Sequence, residues 1–201
     1  MFVKLCGLRT EADVAVAADA GADAVGFVFG PSTRQVSIEL ARRLVELVPK
    51  HILSVGVFGG VSVEFVLQCT SASGVAAVQL HGTYDRSAFD AVMELPVQLW
   101  RATTLTADTD LRIGAYGEDV LLLVSPVAGS GYRWNLAMLD GTGPQGRWVL
   151  AGGLTPSNVA SAIAEASPWG VDVSSCIESQ RGVKDHGLMR AFVRAAREAA
   201  S

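Results

Sequence analysis

The stretch "GADAVGFVF" (residues 21–29) decides the fold: a glycine turn runs straight into a short apolar, β-branched and aromatic segment. Related segments recur along the chain. "GVAAVQL" starts at Gly74, "GEDVLLL" at Gly117 and "GVDVSSC" at Gly170, at intervals of 53, 43 and 53 residues. Each interval is close to two strand–helix units, so the repeat argues for a chain built from that unit.

Working outward, eight strand candidates appear: "FVKLC" (2–6), "AVGFVF" (24–29), "ILSVGVF" (52–58), "AAVQL" (76–80), "VQLWRA" (97–102), "DVLLLVS" (119–125), "RWVLAGG" (147–153) and "GVDVSS" (170–175). Their apolar runs are nearly continuous, as in strands buried on both faces. Helical patterns lie between them. "SIELARRLVELV" offers Ser37 as N-cap and a stripe of Leu40, Leu44 and Leu47, "SVEFVLQCT" repeats the pattern, and "TPSNVASAIAEA" offers Thr155 as cap with Pro156 at the first helical position. Eight strands alternating with helices predict an α/β chain folded as a single (β/α)8 TIM barrel over residues 1–201. An open doubly wound sheet is the competitor, but no run reads as an edge strand. At about 200 residues, the lower end for this fold, loops must be short. The segment after strand six looks poorest in helix.

The formal charge of −4 and the sequence pI of about 5.3 argue against a nucleic-acid partner, which needs a basic face. "MFVKLCGLRT" lacks the layout of a signal peptide and no run of 18 apolar residues occurs, so a cytoplasmic protein without a membrane partner is expected. An odd count of three cysteines, Cys6, Cys69 and Cys176, favours free thiols. They share no CxxC spacing, and the histidines at 51, 81 and 186 lie far apart, so no metal site is expected.

In such barrels the reacting groups stand at the C-terminal ends of strands. That rule selects Cys6, Phe29, Phe58, His81, Arg101, Val124, Gly152 with Gly153, and Ser174 with Ser175. Cys6, ending strand one, is a nucleophile or general base if it is not a small buried hydrophobe. "LAGGLTPSN" and "VDVSSCIES" follow strands seven and eight, where barrels commonly hold phosphate on backbone N–H groups; plain turn chemistry is the alternative. Arg34, in the loop after strand two, is an exposed arginine or an anion clamp. His81 is a core histidine or a site group.

At these residues the chain resembles the phosphoribosylanthranilate isomerase family. The resemblance spans essentially the whole chain, through "KLCGL", "GADAVGFVF", "STRQVS", "VGVF", "VQLHG", "GSG", "LAGGL" and "WGVDVSSCIES". It implies an Amadori rearrangement of a small phosphoribosyl substrate without a cofactor, in a monomer or homodimer. It implies Cys6 as the catalytic base and Arg34 on the anthranilate carboxylate. His81 would sit at the substrate-binding face, and Gly152, Gly153, Ser174, Ser175 and Cys176 around the phosphate.

The departures are concentrated. The family's acid is an aspartate ending strand six; Val124 stands there, in "LLLVS". Trp134, Asn135 and Leu136 replace a phenylalanine–aspartate–tryptophan pattern, and Cys176 stands where a glycine is common, which predicts strain if that position needs positive φ. Substrate-assisted protonation, a water held by Ser125, or the downstream Asp140 are candidate substitutes for the acid, and Arg133 offers only charge. The leading expectation is an isomerase with altered acid catalysis. A related aminoaldose phosphate isomerase of changed specificity and a non-catalytic phosphosugar-binding barrel are the alternatives. Persistence of Cys6, Arg34, His81 and the double glycine argues against the last.

Overall fold

The computed structural model describes residues 1–125 and 143–200. Eight parallel strands close into a barrel in sequence order, with the eighth pairing back onto the first. They are β1 (Phe2–Cys6), β2 (Ala24–Val28), β3 (Leu53–Phe58), β4 (Ala77–His81), β5 (Gln98–Thr104), β6 (Val120–Val124), β7 (Trp148–Ala151) and β8 (Gly170–Val173). The expected closed barrel is therefore found and the open sheet is excluded. Each strand starts within one residue of its sequence-based position, while β7 and β8 end two residues early, freeing Gly152–Gly153 and Ser174–Ser175 for loops.

The helices are α1 (Glu11–Ala20), α2 (Ile38–Leu47), α3 (Val63–Ser73), α4 (Arg86–Met93), α5 (Val159–Ala166) and α6 (His186–Glu198). Local chemistry starts most of them. Thr10 and Asp13 form a reciprocal capping box on α1, and Ser37, Ser62, Asp85 and Asp185 accept the amides of Leu40, Phe65, Ala88 and Leu188. Helix α5 differs from expectation. It begins at Val159, because residues 155–158 form a separate turn in which the Thr155 amide donates to Asn158 Oδ1 and the Asn158 amide donates to Thr155 Oγ1. Residues 105–119, between β5 and β6, hold no helix. The segment expected to be poor in helix, 126–142, lies outside the described residues.

Strand alternation divides the core in two. Val3, Leu5, Val25, Phe27, Leu121 and Leu123 face outward and pack under the helices, with Leu44, Phe89 and Phe192. Cys6, Val55, Trp100, Leu122 and Val149 fill the lumen. The same parity puts Lys4 in the lumen below Cys6, and Lys4 is 0% exposed. It also corrects three sequence-stretch readings. Phe29 and Phe58 belong to the outer core, with rings stacked at 5.0 Å. Arg101 is not at a strand end, because β5 runs on to Thr104. It points away from the lumen, donates to Glu118 Oε1 at 2.7 Å and lies over the Tyr116 ring.

Among the described residues no helix is long and apolar enough to cross a membrane.

Candidate active site

A pocket of about 210 Å³ opens at the C-terminal mouth of the barrel. Seven strands reach it, through Cys6, Val28, Val57, Gln79, Val124, Ala151 and Asp172 among others. All eight expected site residues lie on its wall: Cys6, Arg34, His81, Gly152, Gly153, Ser174, Ser175 and Cys176. Val124, at the end of β6, lines it too, so the position expected to carry an acid faces the same space with an isopropyl group.

Cys6 is buried at 6% exposure. Burial pushes its thiol up; the charges of Lys4 and Lys184 pull the other way and Asp172 adds to the rise. The site therefore favours thiol over thiolate, and the opposing charges are those of Lys4 first and Lys184 second. Lys4 donates to Asp172 Oδ1 at 2.8 Å. Although burial works against its charge, Asp172 and Cys6 more than compensate and raise its pKa, so it is an ammonium.

Gly7 fits the turn after Cys6. Its φ of +77° suits glycine, and a Cβ there would stand 2.7 Å from Arg34 Cδ and 3.1 Å from Ser174 Oγ. The bare backbone lets the loops after β1, β2 and β8 meet. Arg34 enters through this contact. Its Nε and Nη2 donate to Glu178 Oε1 and Oε2 at 2.6 and 2.8 Å. This side-on fork leaves the Nη1 edge for an anion. Glu178 belongs to a short hairpin of β9 (Glu178–Gln180) and β10 (Val183–Lys184). It also accepts from Lys184 Nζ and the Gly182 amide, both at 3.0 Å. Burial would raise the Glu178 carboxyl, but these three donors hold it down at about 2.

The loops after β7 and β8 supply backbone. Gly152 and Gly153 take φ of +92° and +69°, and residues Ser175–Ile177 form a 3₁₀ turn. Ser174 does not present its hydroxyl freely, since Oγ donates to the Cys6 carbonyl at 3.1 Å. The strain considered for Cys176 is not found: Ser167 is the one non-glycine at positive φ among the described residues. His81 sits at the rim. Partial desolvation there lowers its pKa, with Asp172 opposing and Lys4 assisting. Among the described residues no cluster of three His, Cys, Asp or Glu is placed to hold a metal ion.

Sequence reasoning passed over Lys4, Gln79, Asp172, Glu178 and Lys184. The first three had a signal: a polar residue inside an apolar strand. Gln79 is 2% exposed, lines the pocket, and its Oε1 has no partner among the described residues. Residues "GSG" (129–131), Arg133, Trp134, Asn135, Leu136 and Asp140 lie outside the described residues.

Residues 3–195 match the family model of N-(5'-phosphoribosyl)anthranilate (PRA) isomerase. A Streptococcus pneumoniae protein named N-(5'-phosphoribosyl)anthranilate isomerase is 41% identical over 191 residues, covering 95% of this chain and 93% of the relative. One from Symbiobacterium thermophilum is 40% identical, covering 98% of both. The crystal structure of TrpF from Jonesia denitrificans superposes with a TM-score of 0.93 at 44% identity, covering 100% of this chain and 98% of that one. A phosphoribosyl anthranilate isomerase solved with reduced 1-(o-carboxyphenylamino)-1-deoxyribulose 5-phosphate gives 0.85 at 34% identity, over 98% and 99% of the two chains.

Proposed function

The chain belongs to the N-(5'-phosphoribosyl)anthranilate isomerase family, and from that membership and its own pocket we infer that it catalyses the Amadori rearrangement of N-(5'-phosphoribosyl)anthranilate to 1-(2-carboxyphenylamino)-1-deoxyribulose 5-phosphate. The observation that carries this reading is the convergence of Cys6, Arg34, His81 and both backbone loops on one pocket.

A proton reaches the furanose ring oxygen, the C1–O bond breaks, and a Schiff base forms. Cys6 then removes the C2 proton to give an enolamine, which tautomerises to the ketone. Only protons and bonds within one molecule move, so the reaction needs no cofactor. Cys6 is suited to the base by its place on the lumen wall and the ammonium of Lys4 beside it. Arg34, held in orientation by Glu178, offers its remaining edge to the anthranilate carboxylate. Backbone N–H groups near Gly152, Gly153 and Ser174 to Cys176 are suited to the phosphate, as loops seven and eight of such barrels commonly are. His81 flanks the substrate at the rim. The Gln79 carbonyl is suited to a ribose hydroxyl, which would satisfy an otherwise unpaired buried acceptor.

The acid step is altered. Val124 donates no proton, and general acid help is typically worth about 10²–10⁴-fold. The reading also takes a small molecule as the partner, with no nucleic acid, and places the reaction in the cytoplasm, in keeping with three free cysteines. The Thermotoga maritima relative occurs as a dimer from which monomers have been made, and either state suits a site built within one barrel. The test is genetic. The coding sequence should restore growth without tryptophan to a bacterium lacking this isomerase; expression of folded protein without growth would overturn the reading.

A further inference from the structure

We propose that Asp172 is the proton donor for ring opening, recharged from Cys6 through Lys4. The proposal rests on the isomerase reading above and names the group that stands in for the acid Val124 cannot be.

Among the described residues lining the pocket, Asp172 is the only carboxylate. It stands level with Val124: Val124 pairs with Ala151 on β7, and Ala151 pairs with Asp172 on β8. Paired residues of neighbouring strands face the same way, so both side chains enter the lumen from one tier, about 10 Å apart around the wall. A carboxyl at Asp172 thus meets the substrate from two strands further round.

The connection to the base is direct. Lys4 pairs with Asp172 in the β1–β8 ladder and donates to its Oδ1 at 2.8 Å. Lys4 also lies two residues before Cys6, on the same face of β1, and its charge acts on the thiol. Both side chains border the bare backbone of Gly26, where a Cβ would be 2.7 Å from Cys6 Sγ and 3.3 Å from Lys4 Cε. An ammonium has three protons, enough to serve both neighbours at once. A fully buried ion pair is a weak device for stability, since apolar replacements often do as well.

One proton is shared by the three groups. At rest Cys6 is a thiol, Lys4 an ammonium and Asp172 a carboxylate. The thiol passes its proton to Lys4 as Lys4 passes one to Asp172, leaving a thiolate and a carboxylic acid. Asp172 protonates the ring oxygen; the C1–O pair goes to oxygen, and the nitrogen lone pair forms C=N. The thiolate takes the C2 proton; the C–H pair forms C1=C2 and the C=N pair returns to nitrogen. Thiol, ammonium and carboxylate are then restored. The enolamine loses its O–H proton and gains one at C1, both exchanged with water.

The charged or titratable groups around this row are Lys4 from β1, His81 from β4, Arg34 from the loop after β2 and Lys184 from β10. A pH profile alone therefore does not isolate Asp172, and a rescue does. Wild type, Asp172→Asn, Val124→Asp and the double variant are assayed on phosphoribosylanthranilate generated in situ, with binding of the reduced product analogue as the control for an intact pocket. We expect Asp172→Asn to lose about 10²-fold or more in kcat with analogue affinity retained. Adding Val124→Asp to Asp172→Asn should then recover at least about tenfold of that loss, where an acid is typically worth about 10²–10⁴-fold. Unchanged kcat in Asp172→Asn overturns the proposal. So does a loss that the double variant does not recover, which would leave Asp172 as the partner that positions Lys4. If Asp172→Asn does not fold, the same comparison is made with Asp172→Ser, which keeps Lys4 and offers it an acceptor but carries no carboxyl proton. A wild type with no turnover overturns the parent reading; a wild type matched by Asp172→Asn overturns this one alone.

Discussion

Arg34 and Glu178 meet side-on across the barrel mouth, two N–H donors on two carboxylate oxygens at 2.6 and 2.8 Å. The pair ties the loop after β2 to the hairpin after β8 and aims the guanidinium at the pocket. Glu178→Gln keeps one acceptor oxygen where two now serve Arg34 and loses the charge, so Arg34 is held less firmly. We expect KM to rise more than kcat falls. The pH dependence has a definite sign. Glu178 is depressed from 4.5 to about 2, so its contribution to stability is complete above the ordinary carboxyl range and is lost as pH falls from 4.5 through about 2. Urea unfolding of wild type and Glu178→Gln at several pH values checks this. A stability difference that stays constant down to pH 2 would contradict it.

Val124→Asp alone should give little gain in kcat, or a loss. The new carboxylate would enter an apolar stretch beside Leu122, in the same tier as Asp172, where desolvation and like charge both hold a proton on one of the two. Steady-state kinetics decide. A rise of about tenfold or more, part of the usual weight of an acid, would show that the valine is a simple deletion.

Gln79→Met removes the unpaired buried oxygen at nearly constant volume. Thermal stability should hold or rise, because an unsatisfied buried acceptor is lost, while KM for the substrate increases by the weight of one hydrogen bond, on the order of 1 kcal/mol or several-fold. A fall in melting temperature with unchanged KM would mean that Gln79 is structural.

Arg101 gives the opposite pattern. Its salt bridge to Glu118 is buried, with side chains 8% and 0% exposed, and it faces away from the pocket. Arg101→Ala should cost about 3–5 kcal/mol by leaving Glu118 unpaired. That corresponds to a melting temperature lower by roughly 10 °C for a chain of this size. Activity of the folded fraction should be normal; a specific loss of kcat would put Arg101 in the site after all.

The barrel was legible because its strands are mostly apolar and most helices carry their own start signal, as Ser37 and Ser62 show. Cys6, His81 and the two glycines were legible because strand ends locate a barrel's chemistry. Arg101 misled for the same reason: β5 is longer than its apolar run, and parity then turns the arginine outward. Lys4 and Asp172 were missed because each looks like an accident in an apolar strand. Their meaning lies in a pairing across 168 residues that closure of the barrel creates and no local pattern announces. The raised thiol of Cys6 was likewise invisible, since it depends on how completely the closed wall excludes water.

The central claim is that this barrel isomerises phosphoribosylanthranilate with Cys6 as its base although β6 ends in valine. The most direct measurement is the steady-state rate of wild type, Cys6→Ala and Cys6→Ser on N-(5'-phosphoribosyl)anthranilate formed in situ, across pH. Because the Cys6 thiol supplies the proton that Asp172 delivers, and burial raises that thiol, wild-type kcat/KM should hold through neutral pH and fall on the alkaline side as the proton is lost. Both variants should be slower by about 10²-fold or more and lack that alkaline fall. Absence of wild-type turnover, or variants that match the wild type, would contradict the claim.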